Sequence, residues 1–167
     1  MIGDGLLRGS IALATIAYAA AEWIRFRRPA AWRAARTAWT AGVLLLVLHV
    51  AAAFHARHGW SHRRALDATA AQTAALTGLD WGGGLYVNYA FVTLWAADAV
   101  AWWRNPAAYA ARSRVLTTIV SAAFLFMFVN GAIVFAHGAM RWLGAAAVAA
   151  VVYAWYFPSR TRTSGAL

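Results

Sequence analysis

The chain has no cysteine and no lysine, and only five of its 167 residues are acidic. Without cysteine it forms no disulfide, iron–sulfur cluster or thiolate site, so any metal it binds must use nitrogen or oxygen donors or the three methionine sulfurs. All fifteen basic residues are arginine, and the formal net charge is +10. A surplus of that size would suit nucleic acid, but the arginines stand in short blocks between apolar stretches. That pattern sets membrane orientation and does not build a nucleic-acid face. Charged residues make up 12% of the chain and hydrophobic ones 63%, whereas about a quarter of a soluble domain is charged. The expected partner is therefore the lipid bilayer and not nucleic acid. A glycine-rich phosphate loop after a strand and a Ser–His–Asp arrangement are both missing, so no substrate follows from motifs.

A spanning helix needs about 20 mostly apolar residues. Five stretches answer to this, at about 6–24, 37–55, 81–103, 115–137 and 142–157. The last is only about five turns long and must stand nearly upright or thin the bilayer. The expected fold class is thus an all-α integral membrane protein, a bundle of five transmembrane helices forming one domain over residues 1–157, with a cytoplasmic tail at 158–167.

Arginine counts in the short loops orient it. With spans alternating, ten arginines (Arg25, Arg27, Arg28, Arg33, Arg36, Arg104, Arg112, Arg114, Arg160 and Arg162) fall on one side, and Arg8, Arg57, Arg63, Arg64 and Arg141 on the other. The richer side belongs in the cytoplasm, which places the N-terminus outside and the C-terminus inside a bacterial inner membrane. Trp60, Trp81 and Trp142 then mark the outer boundary, and Trp23, Trp39, Trp102, Trp103 and Trp155 the inner one. A cleaved signal peptide over residues 1–21 is the rival reading. It would export the five-arginine block that follows, against the positive-inside bias.

The one long connection, 56–80, lies outside under this orientation. Ser61 and Gly78 flank "HRRALDATAAQTAALT" as N-cap and C-cap of a short surface helix between the second and third spans. Just before it comes "AFHARHGWSH". At 100° per residue His55, His58 and His62 fall within about 60° of one another if the second helix runs unbroken to residue 62. Gly59 opposes that continuity. His137 ends the fourth span on the same side, and Asp80 precedes the third. Neutral imidazole ligates Zn, Cu and Fe, so His55, His58, His62 and His137, with Asp80 as carboxylate ligand, form a candidate transition-metal site facing the periplasm. The competing reading is that His and Trp rings enrich at the interface because they are amphipathic.

His49, Asn88 and Asn130 sit about 10 Å deeper on three different spans, where polar groups are costly unless they face the bundle interior or water. They are a candidate polar cavity. Glu22 and Asp98 are the only acids within the spans. Snorkelling arginines, Arg25 and Arg104, are their expected counter-charges. Asp98, with Trp95 one turn away and Asn88 further along the helix, is alternatively part of a proton path.

The integral-membrane di-iron hydroxylases and desaturases carry histidine boxes similar to "HARHGWSH", but need about twice the histidines present here. A five-helix bundle with histidines on two helices also resembles the membrane cytochromes b. That resemblance implies haem b between His137 and His55 or His49, in an electron-transfer subunit. The expectation from sequence is a periplasm-facing metal site for metal handling or metal-dependent redox chemistry. The haem b subunit is the alternative, and a structural subunit packed against other membrane subunits or in a homo-oligomer is the second.

Overall fold

The structure is a computed structural model and describes residues 2–157. The tail expected at 158–167, with Arg160 and Arg162, lies outside the described residues. Within them the chain is all-helical. α1 (Ile2–Arg27) ends on Arg25 and Arg27, cations suited to the negative end of the helix dipole. Pro29 then opens a single 3₁₀ turn, Pro29–Ala31, which reverses the chain into α2 (Trp32–Ala53). α1 and α2 form the most extensive helix pair in the molecule.

α2 does not run straight on to residue 62. It widens into a π-helical turn, Phe54–His58, and stops at Gly59, whose φ of 55° suits glycine, followed by Trp60 at 60°. α3 (His62–Thr77) starts afresh. The Ser61 hydroxyl accepts from the Arg64 amide at 3.3 Å, and Gly78 closes the helix in the left-handed region. α4 (Gly84–Arg104) begins late, after Gly82 and Gly83, so Trp81 stands outside it. Asn105 caps the short α5 (Pro106–Ala110), and Ser113 caps α6 (Arg114–Val129). A second π-turn, Asn130–Val134, ends that segment, and α7 (Ala139–Tyr156) completes the chain.

Three helical segments are long and apolar enough to cross a membrane: Pro29–His58, Arg114–Val134 and Ala139–Tyr156. α7 has 18 residues, about 27 Å at 1.5 Å per residue, close to a hydrocarbon core of about 30 Å. α1 and α4 are longer than α7 but dilute their apolar content, α1 with Asp4, Arg8, Glu22, Arg25 and Arg27, and α4 with Asn88, Asp98 and several aromatic residues.

The core is aromatic. Tyr18 stacks on Phe128 at 4.0 Å between ring centroids, Trp39 lies 4.7 Å from Phe124, and Trp95 meets Phe124 edge-on at 5.3 Å. Four helices, α1, α2, α4 and α6, meet in this cluster, and Trp95 and Phe124 are fully buried. Two glycines make the packing feasible by their lack of a side chain. A Cβ on Gly42 would stand 2.5 Å from Trp95 Cζ2, and one on Gly144 would run into the Ala132 carbonyl of the second π-turn. α2 is thereby seated against α4, and α7 against the end of α6.

Candidate functional site

Polar chemistry gathers at the two ends of the bundle. At the histidine end, His55 and His58 belong to the π-turn while His62 opens a separate helix, so the three do not share one helical face. The π-turn and the left-handed Gly59 and Trp60 change the phase on which that face depended. His62 lies between two tyrosines of α4, with Nδ1 3.3 Å from Tyr89 Oη and Nε2 3.3 Å from Tyr86 Oη. Phe54 links its neighbours, with ring centroids 5.7 Å from His58, 6.2 Å from Trp60 and 6.4 Å from Tyr89. His55 is exposed near Trp60, and His137 and Asp80 are exposed on other segments. Among the described residues, no three His, Asp or Glu side chains form a group able to hold a metal ion.

The deeper polar residues have separate surroundings. His49 Nδ1 lies 3.0 Å from the Leu7 carbonyl and 3.4 Å from Ser10 Oγ, so its ring N–H donates to α1. The Asn130 amide donates to the Phe126 carbonyl of its own helix at 2.8 Å, so it turns back on its own helix and not toward His49. Asn88 is exposed on α4. Asp4 pairs with Arg57 and ties the start of α1 to the first π-turn.

The arginine end holds the two buried acids, each with a full set of partners. Glu22 is 2% exposed; Oε2 accepts from the Trp155 indole at 2.7 Å and Oε1 from Arg25 at 3.3 Å. Asp98 accepts from the Tyr109 hydroxyl and from Arg112 Nη1, both at 2.7 Å. The counter-charge of Asp98 is thus Arg112, where the sequence pointed to Arg104. The physical reason is helical phase: Arg104 lies six residues on, about 240° around the helix. The Asn105–Pro106 turn and α5 instead fold Tyr109 and Arg112 back over Asp98. Trp102 stacks on Tyr109 at 4.6 Å and 3°, and the Arg112 guanidinium lies 4.1 Å from the Tyr109 ring centroid. Burial, and then the neighbouring Asp98 carboxylate, push the Tyr109 phenol well above its usual range, so it acts as a neutral donor.

Beside these pairs lies a partly open cavity of about 970 Å³. Arg25, Arg112 and Arg114 supply its charge, and Trp32, Trp102, Tyr109 and Trp155 its aromatic walls. Ala122 and Leu125 of α6 and Phe26 of α1 make it apolar. Arg112 and Tyr109 also line a second cavity of about 510 Å³ that reaches Asp98 and Arg104. Arg112 Nε donates to Thr117 Oγ1 at 3.2 Å, while its buried Nη2 has no partner among the described residues. Sequence reading paired the two acids with basic neighbours but did not find this cavity. Its walls come from α1, α2, α4, α5, α6, α7 and the 3₁₀ turn, and no spacing in the chain announces their meeting.

No family model matches this chain, and neither the curated proteins nor the solved structures contain a match to it.

Proposed function

We propose that the chain is a five-span protein of the bacterial inner membrane, N-terminus outside and C-terminus cytoplasmic, that holds an anionic amphiphile in the cavity at its arginine end. Five spans are supported by α1 and α4, which match the three apolar segments in length and pack into the same aromatic core. Orientation rests on ten arginines against five.

One observation carries the binding reading. The cavity is walled by three arginines and by aromatic rings, while the two carboxylates nearby are already neutralised by Arg25 and Arg112. Three cations against two anions leave one positive charge facing an amphipathic space. Basic pockets between spans at the cytoplasmic side are suited to anionic head groups. The chemistry is binding, because the cavity brings no nucleophile next to a base. The test is lipid extraction from protein purified in mild detergent. Anionic lipid should be enriched over the source membrane, and Ala122→Trp, which fills the cavity, should remove the enrichment. Retained lipid of the same composition as the bulk membrane would overturn the reading.

A second reading concerns the histidine end, where His55, His58 and His62 border one aromatic cluster through Trp60, Phe54 and Tyr89 respectively. Metal handling there, with His137 and Asp80, requires these side chains to be drawn together from separate segments. Metal analysis with an optical spectrum separates the outcomes. Stoichiometric Cu, Zn or Fe without a Soret band supports the metal reading, a Soret band supports haem b, and neither leaves a structural subunit.

A further inference from the structure

Serine and threonine in apolar helices ordinarily return their hydroxyl to a carbonyl one turn back, because lipid offers no other partner. Ser10, Thr15, Thr40, Thr93 and Thr117 all do so here. Ser61 and Ser113 cap helices instead. Among the described serines and threonines, Thr118 and Ser121 alone make no hydrogen bond within the described residues. Both line the arginine cavity, three residues apart on α6 and therefore on the same face. Arg114 lies one turn before Thr118, also lines the cavity, and has no ion-pair partner among the described residues. Arg112 belongs to the same wall, with its Nη1 committed to Asp98 and its Nε to Thr117.

From this array we infer that the cavity selects a phosphodiester lipid whose head group is uncharged and carries hydroxyls, of the phosphatidylglycerol kind. The inference rests on the amphiphile-binding reading and narrows it. Arg114 meets the phosphate, Thr118 and Ser121 meet the head-group hydroxyls, and the acyl chains run along Ala122 and Leu125. The charge count agrees: one surplus positive charge matches a diester bearing one negative charge, whereas a monoester carries up to two. An ethanolamine head would bring its ammonium beside Arg114 and would need a free carboxylate as counter-charge. Glu22 and Asp98 already hold two donors each and are nearly fully buried, so they offer it none.

The experiment is lipid titration of the delipidated full-length protein in detergent, read by native mass spectrometry and thermal shift. The probes are phosphatidylglycerol, phosphatidic acid and phosphatidylethanolamine with identical acyl chains. Phosphatidylglycerol should bind most tightly. Arg114→Gln should weaken both anionic lipids by roughly tenfold, the effect of one lost charge-assisted hydrogen bond. The double variant Thr118→Val, Ser121→Ala should abolish the preference for phosphatidylglycerol over phosphatidic acid while leaving charge-dependent binding in place. Both sets of substitutions sit on the cavity wall outside the aromatic core, and unchanged thermal stability without lipid verifies the fold. If wild-type protein binds phosphatidylglycerol and phosphatidic acid equally, or the double variant keeps the preference, the head-group inference is overturned and anionic binding stands. If all three lipids bind alike and Arg114→Gln changes nothing, the underlying amphiphile reading falls as well.

Discussion

Arg112 closes back onto Asp98, its Nη1 donating to Oδ1 over 2.7 Å from fourteen residues further along the chain. The pair is nearly buried, with side-chain exposures of 11% and 7%, and the Tyr109 hydroxyl fills a second site on the carboxylate. Removing one member of such a pair strands the other charge, at a cost of about 3–5 kcal/mol. Arg112→Gln should therefore lower the thermal midpoint in detergent substantially, while Arg104→Gln, at an exposed position, should change stability by no more than about 0.5 kcal/mol. The double variant Asp98→Asn, Arg112→Gln should recover part of the loss. Equal effects of Arg104→Gln and Arg112→Gln would refute the pairing.

Gly42 is the seat of Trp95. Gly42→Ala places a methyl 2.5 Å from the buried indole edge, and overpacking of this kind costs about 1–3 kcal/mol. Trp95→Phe removes the atoms in conflict but leaves a cavity of its own. The two substitutions together should cost clearly less than their sum in a double-mutant cycle. Simple additivity would mean that α2 and α4 do not meet at this point.

Topology is open to direct test. A reporter fused at the C-terminus should be cytoplasmic, and a tag within 63–77 should be accessible from the periplasm. Both tags on one side would remove the five-span arrangement, and with it the placement of the arginine cavity at the cytoplasmic boundary.

His62 holds α3 against α4 through Tyr86 and Tyr89. His62→Ala should cost about 0.5–1.5 kcal/mol and speed amide exchange across 62–77, whereas His137→Ala, at an exposed position, should not alter exchange there. Titration with Zn²⁺ or Cu²⁺ adds a discriminating measurement. A rise in thermal midpoint for wild-type protein that both variants lose would favour a shared metal site over a purely structural contact.

How much was legible in the sequence depended on the range of the forces involved. Local rules sufficed for α3, because Ser61 and Gly78 act on their own backbone neighbours. The histidine pattern failed to extrapolate because it assumed one continuous helix. Gly59 warned of the break, but the π-turn before it has no sequence signature of its own.

Composition and run length by themselves pointed to helices suited to a bilayer, and the described residues are all-helical, because unpaired backbone is intolerable in lipid and apolar runs of about 20 residues satisfy it as helices. They also determined that buried acids would need arginine partners, since charge in an apolar medium must be neutralised. Tertiary structure decided which arginine serves Asp98, that His62 would meet two tyrosines, and that the hydroxyls of Thr118 and Ser121 would line a basic cavity instead of bonding a carbonyl one turn back. Those outcomes depend on the turn at Asn105–Pro106, on the widening of two helix ends, and on glycine-sized gaps at residues 42 and 144. Each sets the rotation of a whole helix against partners distant in sequence, a quantity that helical periodicity leaves free.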